Sequence, residues 1–286
     1  MKKSCARKPV MCNPPGTRVE SQRKNVATPQ HAASVANVAS RSGSPMRVAV
    51  ISDIHANRHA LEAVAEAIER EAPDAVWCLG DLVGYGPQPN ACCEWVAANT
   101  EVCLAGNHDL GVLGAVDLAD FSPDAAAAAT WTRTILADRA RTYLEGLSSS
   151  AELGGVGLYH ASPRDPVWEY VLTWESARAA IREAPTGITL VGHSHVPLAI
   201  VEGRGPIGGH AAGGTEFDLI GGRWLLNPGS VGQPRDGDPD AAWLLLDLEA
   251  RQASFRRALY DVARTQSEIR EHGLPDALAE RLGHGV

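Results

Sequence analysis

From position 46 onward the hydrophobic pattern switches repeatedly between two periods. Short apolar runs of strand length alternate with segments whose apolar residues recur at helical spacing, the signature of an α/β fold. "RVAVIS" (47–52) reads as a first strand, and "NRHALEAVAEAIEREA" as a helix capped by Asn57 with Leu61, Val64, Ala65 and Ile68 on one face. "DAVWCLG" and "EVCLAG" read as the second and third strands, separated by the helix "QPNACCEWVAAN". Ser122-Pro123 opens a helical region running to Leu147, read as two helices. The texture then changes. "VGLYH", "GITLVGH", "PLAIVE", "EFDLI", "RWLLNPG", "DAAWLLLDLE" and "ASFRRALY" are short strands, and "WESARAAIREA" is helical. These strands predict a second, largely antiparallel sheet. The glycine-rich "EGRGPIGGHAAGGTE" reads as a mobile loop with a solvated His210, and one or two helices close the chain.

Composition narrows the classes. With 286 residues and 44% apolar content the chain can bury a large core. A net charge of -8 with no basic stripe argues against wrapping long nucleic acid and leaves room for a small anionic substrate. No run is long and apolar enough to span a bilayer. The basic N-terminus lacks the apolar core of a signal peptide. Six cysteines without repeated spacing read as reduced packing residues of a cytoplasmic protein. Residues 1–45 are polar and rich in Ser, Arg, Pro and Asn, so they read as a disordered extension. Met46 then reads as the natural start, and residues 46–286 as one domain. The sequence carries no signal for oligomeric state.

The chemistry lies where the strands stop. "VAVIS" runs into Asp53 and His55, "VWCLG" into Asp81, and "VCLAG" into Asn107, His108 and Asp109. "VGLY" delivers His160, and "ITLVG" delivers His193 and His195. This is the sheet edge at which α/β proteins collect ligands. Any one of these residues could be a turn former or a cap, but buried Asp, Asn and His need partners, and one shared metal centre partners them all. The i, i+2 spacing of Asp53/His55 and His193/His195 is expected to put each pair on one side of an extended segment. Oxygen and imidazole donors without thiolate suit Mn²⁺, Fe²⁺, Zn²⁺, Ni²⁺ or Co²⁺. Seven candidate ligands exceed one tetrahedral site, and two ions sharing a carboxylate would use them.

In this order the motifs "DIH", "GD", "GNHD", a strand-end His and "GHSH" resemble the calcineurin-like metallophosphoesterases, in particular their compact bacterial and archaeal phosphodiesterase branch; "NPGSVGQPR" (227–235) resembles that branch's closing segment. The resemblance implies a four-layer αββα sandwich of two mixed β-sheets. It also implies two divalent ions, Mn²⁺ foremost. Asp53, His55 and His195 would bind one ion and Asn107, His160 and His193 the other, with Asp81 bridging. His108 would meet the phosphate or leaving group and Asp109 would orient it. A metal lowers the pKa of bound water from about 15.7 to ~7, so a bridging hydroxide can attack phosphorus at neutral pH. Arg164 and Arg235 are candidate phosphate contacts or surface arginines, Tyr85 reads as packing, and Trp168 and Tyr170 as pocket wall or packing. The expected function is hydrolysis of a small phosphoester or nucleotide. Phosphoprotein or dinucleoside-polyphosphate phosphatase activity, a nuclease and a non-catalytic scaffold are the alternatives.

Overall fold

Strand β1 (Arg47–Ile51) shows how the layers arise, because its alternate side chains serve two different cores. Val48 and Val50 join the cluster between the two sheets, with Trp77, Leu190, Leu226 and Phe255. Ala49 and Ile51 face helices instead, packing with Leu61, Val64, Ile68, Cys92 and Val96. The computed structural model describes residues 46–202 and 208–286; residues 1–45, including the expected disordered extension, Cys5 and Cys12, lie outside them.

The chain runs β1, α1 (Arg58–Glu71), β2 (Ala75–Cys78), α2 (Pro89–Asn99), β3 (Val102–Cys103) and α3 (Asn107–Leu113). It continues through α4 (Pro123–Ile135), α5 (Asp138–Glu145), β4 (Ser150–Leu153), β5 (Val156–Tyr159), α6 (Trp174–Glu183), β6 (Ile188–Val191) and β7 (Leu198–Val201). β8 (Gly208–His210), β9 (Glu216–Asp218), β10 (Trp224–Asn227), β11 (Ala241–Asp247), β12 (Gln252–Ala258), α7 (Val262–Glu271) and α8 (Asp276–Glu280) complete it. Two six-stranded sheets result, ordered β3-β2-β1-β11-β12-β9 and β4-β5-β6-β10-β7-β8. β1 pairs parallel with β2 and antiparallel with β11, while β10 pairs parallel with β6 and antiparallel with β7. Both sheets are mixed. Helix α6 covers the outer face of the second sheet through Ala177, Ala180 and Ile181 against Val191, Ile200 and Leu225. The order of layers is therefore helix, sheet, sheet, helix.

Three expectations change. The C-terminal strands β9, β11 and β12 do not build a separate antiparallel sheet; they extend the first one, since β11 pairs residue for residue with β1 from Arg47↔Asp247 to Val50↔Leu244. The glycine-rich segment contributes one short strand, β8, against β7, its residues 203–207 lying outside the described ones, and His210 is paired with Asp236 at 2.9 Å; β9, against β12, falls where "EFDLI" reads as a strand. Residues of "GNHD" begin a helix, α3, where the sequence offered only a strand end. The cap is as expected at α1, where the Asn57 side chain accepts from Ala60 N.

Candidate metal centre at the strand ends

The loops after the strands are wound tightly, and their backbone explains how the ligands converge. Asp53, His55, Asp81, His193 and His195 all have φ between 49° and 62°, the left-handed region that non-glycine residues rarely occupy. The two i, i+2 pairs are thus brought inward by left-handed turns and not by an extended pleat, as their spacing had implied. Such strain, about 1–3 kcal/mol per residue, persists only where the surroundings fix it. Two glycines make the approach possible. A Cβ on Gly106 would come within 2.0 Å of Asp81 Oδ1, and one on Gly192 within 2.1 Å of Ser52 Oγ.

All seven candidate ligands are buried. Asp53, His55, Asp81 and His195 present donor atoms within 4.8 Å of one another, and so do Asp81, His160 and His193. Asp81 belongs to both groups. Asn107 joins the second through Oδ1, 3.2 Å from His160 Nε2. Asp81 Oδ2 lies 3.6 Å from both His55 Nε2 and His160 Nε2, and His195 Nε2 lies 3.5 Å from Asp53 Oδ1. His55 Nε2 and His195 Nε2 face each other at 3.1 Å.

The surrounding bonds fix which atoms are offered. His55 Nδ1 contacts Val83 O at 3.2 Å, His160 Nδ1 contacts Leu79 O at 2.9 Å and His195 Nδ1 contacts Gln233 O at 2.6 Å. A carbonyl only accepts, so each Nδ1 carries the proton and each Nε2 lone pair faces inward, the arrangement of metal-ligating histidines. Two lone pairs 3.1 Å apart are unfavourable unless a cation takes both. Asp81 Oδ2 and His193 Nε2 are buried without any hydrogen-bond partner, which in a native interior calls for an ion or water. The donor set, its burial and these orphaned atoms fit divalent cations.

Electrostatics agree. Burial raises Asp53 to about 7 and holds Asp81 well above the carboxylate range, Asp109 adding to the latter. Burial, then His160, pushes His193 down to about 2. Burial holds His55, His108 and His195 well below 6.5, with Arg235 next in effect on His108 and His195 and His108 next on His55. Neutral imidazoles are the ligating form, and a cation would restore charge to the carboxylates.

The other candidates separate. Arg235 sits at the site: Nη2 donates to Gln233 Oε1 at 2.9 Å and contacts Tyr85 OH at 3.3 Å, and its charge acts on Asp53 and Asp81. Arg164 does not join it; half exposed, it pairs with Glu169 at 3.4 Å. Asp109 is not placed to orient His108. Its Oδ1 accepts from Leu82 N and Val83 N, and its Oδ2 from Gly106 N, so it knits the "GD" loop to the start of α3. His108 stands without that carboxylate, its Nδ1 buried and unpaired. Tyr85 does more than pack, because its ring lies 4.3 Å from that of His108 and 4.6 Å from that of His55. Tyr170 is half exposed with its ring 4.0 Å from that of His193, forming a wall, whereas Trp168 meets Phe121 edge to face. Sequence reasoning gave no roles to Asn227, Ser230 and Gln233, although "NPGSVGQPR" marked their segment. Asn227 Nδ2 donates to Gly192 O at 2.8 Å and Ser194 Oγ at 3.0 Å, and Ser230 Oγ donates to Asp53 O at 2.8 Å. These bonds clamp the "GHSH" and "DIH" loops.

A mixed double sheet with two buried groups of Asp, Asn and His sharing one carboxylate at its strand ends defines a candidate two-cation centre. Residues 46–251 match the Calcineurin-like phosphoesterase superfamily domain, and the chain belongs to that superfamily. It is 35% identical over 240 residues to the uncharacterized protein MJ0912 of Methanocaldococcus jannaschii, covering 82% of this chain and 96% of the relative. It is also similar to the crystal structure of a metallophosphoesterase from Sphaerobacter thermophilus, at 39% identity and TM-score 0.78 over 85% of this chain and 100% of that one. The fold is shared with the hypothetical protein PH1004 from Pyrococcus horikoshii OT3, at 22% identity and TM-score 0.71 over 84% of this chain and 99% of that one. Among the described residues no helix is long and apolar enough to cross a membrane.

Proposed function

We propose that the chain is a divalent-cation-dependent phosphoric ester hydrolase, acting as a phosphodiesterase on a small phosphoester or nucleotide. The observation that carries this reading is the double membership of Asp81, whose unpartnered Oδ2 lies 3.6 Å from a histidine of each ligand group. Asp53, His55, Asp81 and His195 would hold one cation, and Asp81, Asn107, His160 and His193 the second. Mn²⁺ is the first choice for this donor set, with Fe²⁺, Zn²⁺, Ni²⁺ and Co²⁺ as alternates. Bound there, such ions supply a nucleophile at neutral pH and neutralise charge on the phosphoryl oxygens.

The chain's own groups do the rest. Arg235, braced by Gln233 and Tyr85, takes a phosphoryl oxygen through its planar fork. His108, wedged against Tyr85 and Phe121, offers an N–H to the departing oxygen. It does so as a neutral donor, since burial and Arg235 oppose an imidazolium and Asp109 is committed to the backbone. The free cysteines 78, 92, 93 and 103 support a cytoplasmic setting. Purified chain with Mn²⁺ should hydrolyse bis-p-nitrophenyl phosphate. Asn107→Ala or His195→Ala should lower kcat/KM at least about a hundredfold, by the scale of lost metal-site contacts. Mn²⁺-dependent turnover indifferent to both substitutions would remove the assignment.

A further inference from the structure

Most aromatic rings near the centre are engaged with one another. His108 meets Phe121 edge to face at 5.1 Å, and Phe121 meets Trp168 in the same way at 5.3 Å. Tyr170 differs. Its ring lies 4.0 Å from that of His193 and is tilted by only 32°, so one face covers the imidazole and the opposite face turns away from it. At 48% exposure it is the only Phe, Trp or Tyr among the described residues that stands open to solvent, while His193 beneath it is 3% exposed. The ring it covers belongs to the second ligand group, where His193 offers a donor atom within 4.8 Å of those of Asp81 and His160. Tyr170 is also held in place. Val171, next in the chain, is buried and packs with Ile181 and Val191 under α6. On the other side Asp165 Oδ1 accepts from Val167 N and Trp168 N at 3.1 Å, and Ser162 Oγ donates to Glu169. An apolar ring face fixed in water adds nothing to the hydrophobic stabilisation of the fold. A preformed face beside a cation ligand does lower the ordering cost of binding.

We propose that the outer face of Tyr170 is a stacking subsite for a planar aromatic group of the substrate, a nucleobase above all. The inference rests on the phosphoesterase reading above and narrows its substrate class to phosphoesters that carry such a group. An aromatic group stacked there lies one ring further out than His193, and a sugar or similar linker joins it to the phosphoryl group held at the centre. The near-parallel pair of His193 and Tyr170 already begins the stack that this group extends. Every base has a π face, so the subsite selects aromatic over aliphatic esters and does not choose one base over another. Tyr170 is a specificity-determining residue in this arrangement and takes no part in bond breaking.

The test isolates the base. On the Mn²⁺-loaded full chain, adenosine 5′-monophosphate and ribose 5-phosphate are compared as competitive inhibitors of bis-p-nitrophenyl phosphate hydrolysis. The two share a sugar phosphate and differ in the adenine. The wild type should bind the nucleotide at least about fivefold more tightly, the lower end of the range for base–aromatic stacking. Tyr170→Ala should bring the two inhibition constants to within about twofold of each other. Tyr170→Phe, which keeps the ring, should preserve most of the preference. Tyr170→Ala also uncovers His193, but any weakening of phosphate binding from that cause acts on both inhibitors alike and cancels in their ratio. Equal affinities in the wild type, or a preference for the nucleotide that survives Tyr170→Ala, would overturn the proposal. Should the wild type not hydrolyse the diester with Mn²⁺, the phosphoesterase reading itself has failed. The ratio is then read as dissociation constants, by calorimetric titration of each compound into the Mn²⁺-loaded full chain. A preference lost in Tyr170→Ala and kept in Tyr170→Phe sustains the subsite, and equal affinities or no binding of the nucleotide refute it.

Discussion

A carboxylate with 0% exposure, one oxygen bonded to a backbone amide and the other to nothing, is expensive to keep in a protein interior. Asp81 is that carboxylate, and its cost has a measurable consequence. In the absence of cations, and at a pH high enough to ionise it, Asp81→Asn should stabilise the fold, by roughly 1–3 kcal/mol for removal of an uncompensated buried charge. The same variant should lose the thermal stabilisation that Mn²⁺ gives the wild type. Melting curves with and without the ion test both halves, and a less stable metal-free variant would contradict the first. Asn227→Ala should behave oppositely. It strips a partner from Gly192 O and from Gly229 N inside a buried loop, so it should cost about 1–3 kcal/mol in denaturant unfolding and, by loosening the loop that carries His193 and His195, weaken Mn²⁺ binding by about 10–100-fold. Gly106→Ala tests the close approach, because the new methyl must displace Asp81 Oδ1. Metal analysis should find it depleted in bound ion, and full occupancy would show that α3 can shift to make room.

At the scale of elements, the strands that lead into the site were readable because their apolar runs are short, β-rich and followed within a few residues by Asp, Asn or His; β4 and β8 carry no such run and were not. "VAVIS" and "ITLVG" announce both a strand and its functional end. The distribution of strands between sheets was not readable, since β11 is as uniformly buried as β6. Only pairing with β1 sends it to the first sheet. Helix α3 was hidden for a different reason: it has seven residues, contains Gly111 and takes its cap from the backbone-bound Asp109, leaving no amphipathic stripe. The candidate ligands were readable by residue type and position, but their approach was not. Left-handed φ at Asp53 or His195 has no signature in side-chain identity, and the carbonyls of Leu79, Val83 and Gln233 that set the imidazoles could come from any residue. Arg164 and Arg235 looked alike because each follows a motif strand, and the neighbour Glu169 decided against the first.

The whole molecule should carry the mark of its centre in its pH dependence. Asp53, raised to about 7 by burial, and Asp81, held well above the carboxylate range by burial, keep protons in the folded chain that the unfolded chain releases near pH 4. Their contribution to stability is therefore lost as pH rises through the folded values. The histidines are depressed, so the unfolded chain takes up protons below about 6.5 that the folded one refuses, and stability falls on that side too. The metal-free protein should be most stable near pH ~6–6.5 in chemical denaturation, and saturating Mn²⁺, which favours the ionised carboxylates, should move that optimum to higher pH. An unchanged optimum with ion bound would separate the cation from these carboxylates. The central claim, that one carboxylate joins two cation sites, is tested most directly by electron paramagnetic resonance of the full chain titrated with Mn²⁺. Two ions per chain with an exchange-coupled spectrum, lost on Asp81→Asn, are predicted; a single equivalent giving the isolated six-line Mn²⁺ signal in the wild type would contradict it.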